Sequence, residues 1–272
     1  MSHPAQRILI TGAGSGLGRA LALHYARRGA QVAVVDIDLA RAGAVAQEVQ
    51  ALGAQAIHLQ CDVGSDASVV ALQKAVQQAW GGVDVLINNA GVAGSGTVHE
   101  TSMDDWHTVV NIDLMGVVRG CHAFIPGLMA QKKGHVVNIA SFAAIALMPG
   151  MANYNVAKIG VLGLSESLRG ELEDHGVGVT VVCPSFFQTN LMQNTFGPVD
   201  MKPFVDKLMK KSPINADDIA AMIAQAVDKN QFLLLPHKDT RTFWRLKRFF
   251  PNWWHGKVMQ GRKKMLAAAK KF

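Results

Sequence analysis

An apolar segment that runs into a glycine-rich turn stands near the start of the sequence, where residues 7–18 read RILITGAGSGLG. The run 7–11 is typical of a buried strand, and a helical pattern begins at about residue 16. Glycines in such a turn allow close approach of a pyrophosphate, and the free N–H groups of the following helix favour an anion. Because strand, turn and helix come in this order, the segment predicts a dinucleotide-binding unit.

The alternation of strand and helix continues along the sequence. The predicted strands are nearly all apolar, as expected of strands that are covered on both faces. This order indicates an α/β fold, a Rossmann-like doubly wound parallel sheet of about seven strands with helices on both faces. The predicted strands are 7–11, 32–36, 56–61, 83–88, 135–140, 177–183 and 231–235, and the predicted helices are 16–29, 38–52, 65–80, 104–130, 154–174 and 215–229.

Residues 1–236 are predicted to form a single dinucleotide-binding domain, followed by a basic, aromatic extension at 237–272. The substrate loop, 185–214, interrupts the alternation and is expected at the carboxyl ends of the strands, where ligands bind in open α/β sheets. The formal net charge is +7, but the extension holds eleven of the 27 Lys and Arg residues and one of the 20 acids. Any acidic partner is therefore expected to bind the extension.

Composition argues against several other classes of protein. The three cysteines, Cys61, Cys121 and Cys183, are scattered without metal-ligand spacing, and so are the histidines, so no metal site is predicted. Unpaired cysteines fit a reducing compartment, and we expect a cytoplasmic protein. No run approaches the roughly eighteen consecutive apolar residues of a membrane span. The first residues leave no room for a secretory signal.

Asp36 ends the second predicted strand, about twenty residues after the glycine turn. A carboxylate at this position can accept hydrogen bonds from both hydroxyls of an adenine ribose and repels a 2′-phosphate. No Lys or Arg stands at 13, 15 or 37 to bind such a phosphate, and Arg41, the nearest base, is interpreted as a solvated helix residue. We therefore predict NAD rather than NADP as the cofactor.

A second pattern, NYNVAKIG at 153–160, places Tyr154 four residues before Lys158. Positions four apart share a helix face, so the two side chains project together. A phenol titrates near 10, and acid–base work at neutral pH needs a shift of about three units, or roughly 4 kcal/mol. A cation about 4 Å away at an effective dielectric of about 20 contributes on that order. The alternative is an aromatic and a cation that merely share a face.

Taken together, these motifs resemble the classical short-chain dehydrogenase/reductase family from residue 7 to about 235. Its glycine motif TGxxxGxG is matched at 11–18, NNAG stands at 88–91, and VCPSFFQT at 182–189 resembles PGxxxT with Ser185 in place of glycine. The resemblance implies that Asp62 contacts the adenine ring and that Thr189 reaches the nicotinamide. The implied cofactor-binding residues are Gly12, Ser15, Gly16, Leu17, Gly18, Asp36, Asp62, Val63, Asn89, Ala90, Gly91, Tyr154, Lys158, Phe187 and Thr189.

The resemblance also implies four catalytic residues: Asn111, Ser141, Tyr154 and Lys158. Ser141 would hydrogen-bond the substrate oxygen, and Asn111 would hold a water that links Lys158 to solvent. The implied reaction is hydride transfer between the nicotinamide and a carbinol carbon, with Tyr154 as general acid in reduction and general base in oxidation.

The substrate is predicted from the two segments that set specificity in this family, 142–151 and 186–197. Both are mostly apolar and contain no Lys or Arg. We therefore expect a hydrophobic secondary alcohol or ketone. The family's usual use of helices like 104–130 and 154–174 implies a homo-oligomer, a tetramer or a dimer.

The extension allows two interpretations. A helix over 241–250 would place Phe243, Leu246, Phe249 and Phe250 opposite Arg241, Arg245 and Arg248, and Pro251 would break it. Such a segment fits peripheral contact with an anionic membrane at its inner face, and it fits equally a cap over the substrate pocket or a neighbouring subunit. Nucleic acid is not predicted, because no recognition motif accompanies the charge.

Two alternatives to a dehydrogenase stay open. A regulatory or sensor protein could keep the fold and bind NAD(H) without turnover, although such proteins tend to lose the tyrosine or the lysine. A Rossmann-fold epimerase or dehydratase also uses a YxxxK pair, but it usually carries a larger C-terminal substrate domain.

Overall fold

The computed structural model describes residues 5–269. Its main sheet consists of β1 (Arg7–Thr11), β2 (Gln31–Asp36), β3 (Ala56–Gln60), β4 (Val85–Asn88), β5 (Gly134–Ile139), β6 (Val177–Val182) and β7 (Leu233–Leu234). The strands lie in the order β3-β2-β1-β4-β5-β6-β7, and every neighbouring pair is parallel. The predicted doubly wound α/β fold is confirmed.

Helices cover both faces of the sheet. They are α1 (Gly16–Arg27), α2 (Leu39–Ala51), α3 (Asp66–Trp80), α4 (Met103–Val110), α5 (Gly116–Gln131), α6 (Ala143–Ala146), α7 (Ala152–Leu172), α8 (Lys202–Met209), α9 (Ala216–Asp228), α10 (Lys238–Phe249) and α11 (Pro251–Ala269). Along β1, Ile8 and Ile10 pack with α1, α2 and α9, whereas Leu9 packs on the opposite face with α3, α5 and α7. This alternation explains why the strands are apolar on both faces.

The long central helix differs from its prediction. The sequence predicts one helix over 104–130, but a π-helical turn, Asn111–Met115, separates α4 from α5. Among the described residues, the stretch Met103–Gln131 is long and apolar enough to cross a membrane, a property that core helices of water-soluble proteins share. The wide turn changes which side chains point inward, and this affects the candidate site.

The substrate loop and the extension are both structured. The loop contains α8 and a two-residue strand at 195–196, which pairs with 93–94. The extension forms α10 and α11, which meet at Pro251, where a proline suits the first turn of a helix. The sequence predicts the break at Pro251 but not the helix after it. Residues 270–272 of the predicted extension lie outside the described residues.

Candidate active site

The glycine turn packs directly against the end of β4. Gly12 has φ +63°, and a Cβ atom there would lie 2.8 Å from the Cα of Ala90. A Cβ on Gly18 would lie 2.2 Å from the carbonyl oxygen of Gly12, so a side chain at either position would displace the backbone. The turn is tied to β4 by Thr11, whose Oγ1 accepts hydrogen bonds from the backbone N–H groups of Asn89 (3.0 Å) and Ala90 (3.1 Å). This cradle fits the pyrophosphate of a dinucleotide.

The remaining predicted residues of the glycine turn sit at the start of α1. Ser15 is the N-cap residue in an extended conformation, and its side chain makes no capping hydrogen bond. Leu17 is buried in the core. A Cβ on Gly16 would be 3.7 Å from the Cβ of Thr189, so the segment that carries Thr189 faces the turn.

Asp36 is buried at the end of β2, and its carboxylate is held by the backbone. It accepts hydrogen bonds from the N–H groups of Gly14 (2.9 Å) and Asp38 (3.0 Å). Arg41 is partly solvated, as interpreted from the sequence, but it is also paired, because its Nη2 lies 3.3 Å from Oδ1 of Asp36 and its Nε lies 3.2 Å from Oδ2 of Asp38. Asp36 is therefore oriented towards the glycine turn, but its charge is shared with a cation.

The predicted adenine and nicotinamide contacts lie on loops that follow β3 and β6. Asp62 accepts a hydrogen bond from the N–H of Gly64 at 2.8 Å, and Val63 contacts Gly116 at the start of α5. Phe187 is buried in the core beside the sheet. Ser185, which replaces the expected glycine, lies outside the left-handed backbone region, and its N–H donates to Nδ1 of His237 at 3.2 Å.

The predicted catalytic pair lies on one face of α7. Tyr154 and Lys158 are both buried, and Nζ of Lys158 lies 5.5 Å from the centroid of the Tyr154 ring. Ser141, just after β5, is close enough to the tyrosine for its hydroxyl to lower the pKa of Tyr154. Burial raises the pKa of Tyr154 and outweighs the lowering effect of the Lys158 charge and of Ser141. In the protein alone, Tyr154 therefore keeps its proton, as a general acid requires.

Asn111 does not join this cluster. Its Nδ2 donates a hydrogen bond to the carbonyl oxygen of Gly64 at 3.0 Å, on the side of the π-helical turn that faces the loop after β3. The side chain that contacts Lys158 is Asp113, two residues further on, with Oδ2 3.2 Å from Nζ. Asp113 is not among the catalytic residues that the sequence predicts. Its one signal was a lone acid in an apolar stretch, VVNIDLMGVV at 109–118.

The extension packs on the segment that follows Ser141. The Phe142 and Phe243 rings are 6.1 Å apart, and the Phe243 and Trp254 rings are 5.2 Å apart. Nζ of Lys247 donates to the carbonyl oxygen of Ile145 at 2.6 Å, so α10 also binds the backbone of α6. One face of the extension thus caps the apolar segment expected to contact the substrate.

Among the described residues, no group of three or more His, Cys, Asp or Glu side chains could hold a metal ion. The three cysteines are free and buried.

A family model described as short chain dehydrogenase matches residues 6–199. The 3-oxoacyl-[acyl-carrier-protein] reductase of Synechocystis is 36% identical over 191 residues, which cover 70% of this chain and 77% of the relative.

Two solved structures of similar fold hold different cofactors. A short-chain dehydrogenase/reductase from Burkholderia phymatum in complex with NAD has a TM-score of 0.83 and 32% identity, covering 90% of this chain and 93% of that one. A metagenomic short-chain oxidoreductase in complex with NADP has a TM-score of 0.70 and 31% identity, covering 85% and 95%.

Proposed function

Because this chain belongs to the short-chain dehydrogenase family, an oxidoreductase family that uses a nicotinamide cofactor, we propose that it interconverts a hydrophobic secondary alcohol and its ketone with NAD(H). The observation that carries the proposal is the buried Tyr154–Lys158 pair beside Ser141, under an apolar segment. The relative from Synechocystis, a 3-oxoacyl reductase by name, supports a carbonyl substrate.

When bound, the nicotinamide cofactor would supply a hydride to the carbonyl carbon in reduction or accept one from the carbinol carbon in oxidation. The chain contributes the binding and the proton. The cradle at 12–18 binds the pyrophosphate, Lys158 holds its positive charge beside the tyrosine, and Ser141 orients the substrate oxygen. Tyr154 then donates its proton to that oxygen in reduction and takes it back in oxidation.

The preference for NAD over NADP rests on Asp36. Its carboxylate already accepts two backbone hydrogen bonds and points towards the glycine turn. Binding of a 2′-phosphate here would bring two negative groups together and would have to draw Arg41 away from Asp36. We therefore propose NAD as the better cofactor, with the Asp36–Arg41 pair as the element that decides it.

The hydrophobic substrate is supported by the surroundings of Ser141. Ala143, Ala144, Ile145 and Ala146 are all buried, and Phe142 and Trp254 pack with Ala146. An apolar ligand that packs against this segment would gain about 25 cal/mol for each Å² of apolar surface that it buries. A charged substrate would find no side-chain cation in the segments 142–151 and 186–197.

A panel of hydrophobic ketones and secondary alcohols tests the proposal, with short charged oxo-acids as matched controls. Each is assayed with NAD(H) and with NADP(H) by the absorbance of the reduced nicotinamide. We expect turnover of hydrophobic members with NAD(H) and little turnover of the controls. Tight NAD binding without any turnover would favour a sensor protein, and product formation without net change in the cofactor would favour an epimerase or dehydratase.

A separate proposal concerns the outer face of the extension, which we propose contacts a membrane. Phe249, Phe250 and Trp253 are exposed where α10 meets α11, and Arg248 and Lys257 lie nearby in the sequence. Exposed aromatics among cations suit peripheral contact with an anionic membrane at the cytoplasmic face. Co-sedimentation of the full chain with anionic vesicles, but not with neutral ones, is expected. Absence of binding to either kind of vesicle would contradict the proposed membrane contact.

A further inference from the structure

Among the described residues, Asp113 is the fully buried acid that contacts Lys158, and both of its oxygens are used. Oδ1 accepts a hydrogen bond from the N–H of Val92 at 2.7 Å, which fixes the carboxylate against the loop after β4. Oδ2 lies 3.2 Å from Nζ of Lys158 and has no other polar contact among the described residues. The carboxylate is therefore directed at the ammonium by the backbone.

The π-helical turn produces this orientation. A π-helical turn contains an extra residue, and such turns are frequent at functional sites. Here Asn111 points to Gly64, whereas Asp113 points inward to Val92 and Lys158. Arg119, one turn along α5, stabilises the widened turn because its Nη1 donates to the carbonyl oxygen of Asn111 at 3.2 Å.

We propose that Asp113 is a positioning residue of the proton-transfer site: its carboxylate holds the Lys158 ammonium and shares its charge, so that Tyr154 keeps its proton up to a higher pH. This inference rests on the proposed function, because it assigns Tyr154 the proton and Lys158 the charge that controls it. It predicts a site that is ready to donate a proton at neutral pH and that needs alkaline conditions to accept one.

The groups that face the ammonium support this assignment. They are Asp113 from the π-helical turn, the carbonyl oxygen of Ile139 on β5 at 3.4 Å, Tyr154 on its own helix, and Cys183 after β6. Burial works to lower the pKa of Lys158, but the Asp113 carboxylate opposes it, and the pKa is raised overall. The same carboxylate raises the pKa of Tyr154, against the lowering effect of Lys158.

The chain allows Tyr154 to be titrated directly, because it contains only two tyrosines. The other, Tyr25, is buried and its hydroxyl has no hydrogen-bond partner among the described residues, so Tyr25→Phe removes the second chromophore with little change in packing. In that background the near-ultraviolet tyrosinate band reports Tyr154 alone. The measurement needs no substrate and is independent of activity.

We expect Asp113→Asn to move the tyrosinate midpoint of the Tyr25→Phe chain to lower pH by about one unit, a tenfold change in the tyrosinate fraction at fixed pH. Asp104→Asn, which removes an exposed carboxylate from α4, is the matched control and is expected to leave the midpoint unchanged. A midpoint that stays in place or rises in a folded Asp113→Asn chain would overturn the inference. If the proposed substrate class is wrong, the chain will not turn over the ketones, but the tyrosinate midpoint will still shift in Asp113→Asn. Failure of the proposed function can therefore be distinguished from failure of this inference.

A stability cycle provides a second test in case Asp113→Asn does not fold. Removing one member of a buried ion pair leaves an unpaired charge, whereas removing both does not. We expect the double variant Asp113→Asn with Lys158→Met, in which the amide oxygen can still accept the N–H of Val92, to unfold at a higher denaturant concentration than Lys158→Met alone. If the double variant is no more stable than that single variant, the two side chains do not share charge and the inference is overturned.

Discussion

At the scale of single residues, the cofactor preference depends on one carboxylate. Asp36→Ala removes the group expected to accept the ribose hydroxyls, and it frees Arg41, which lies 3.3 Å away, to bind a phosphate. We expect the ratio of kcat/KM for NAD(H) to that for NADP(H) to fall roughly tenfold to a hundredfold, since a hydrogen bond to a charged group contributes about 1.5–3 kcal/mol.

The matched control for Asp36→Ala is Asp38→Ala. Asp38 also pairs with Arg41, but it caps the N-terminus of α2 and is more exposed than Asp36. Its removal is expected to cost about 1 kcal/mol of stability without the same change in cofactor ratio. An Asp36→Ala chain that still rejects NADP(H) would count against the assigned role of Asp36.

The sequence predicts some of these side-chain positions but not others. Tyr154 and Lys158 meet because helical spacing alone brings positions four apart to one face. Asp36 could be located because it ends a strand. Asp113 could not, because its contact with Lys158 depends on a π-helical turn that no pattern of apolar residues signals. Arg41 could not either, because its contact depends on the rotamer of a long side chain.

At the scale of elements, α6 and the extension act as one unit over the proposed substrate site. Trp254 is buried against Ala146, and its Nε1 donates to the carbonyl oxygen of Ala146 at 3.4 Å. Trp254→Ala is expected to loosen the segment that follows Ser141. KM for a hydrophobic ketone should then rise roughly tenfold, equivalent to about 1.4 kcal/mol of binding, with a smaller effect on kcat.

The neighbouring Trp253 offers a control for this prediction. Its side chain is 46% exposed, so Trp253→Ala removes the same kind of side chain from a solvent-facing position of α11. We expect Trp253→Ala to keep the KM of the full chain in the absence of membranes. Equal KM values for the two tryptophan variants would show that the cap does not contribute to substrate binding.

The elements themselves were largely predictable. Buried strands of a parallel sheet are continuous apolar runs, and helices between them must present an apolar face, so most bounds agree within about two residues. The helix α11 differs more from expectation, because the sequence pattern ends at Pro251. Its position depends on contacts with distant residues, Phe243 and α6.

At the scale of the whole molecule, α7 exposes apolar side chains away from the core. Val156 and Ile159 are 48% and 41% exposed, and Met115 of the π-helical turn is 40% exposed. We propose that this face joins copies of the chain in a homo-oligomer. Ile159→Glu is expected to reduce the assembly to single chains, measured as mass by light scattering during size-exclusion chromatography.

Val70→Glu is the matched control for the oligomer, because Val70 is 52% exposed on α3, outside that face. It is expected to keep the mass of the unmodified assembly. If the unmodified chain already has the mass of one copy, the chain does not form a homo-oligomer through this face.

The role of Tyr154 is tested most directly by the consumption of NADH with a hydrophobic ketone, measured for the full chain and for Tyr154→Phe. NADH binding is measured on the same samples by fluorescence, so that loss of turnover can be separated from loss of cofactor. We predict turnover by the full chain and a fall of roughly 10² to 10⁴ in kcat for the variant, with unchanged affinity for NADH. A Tyr154→Phe chain that binds NADH and reduces the ketone at the rate of the full chain would contradict the account.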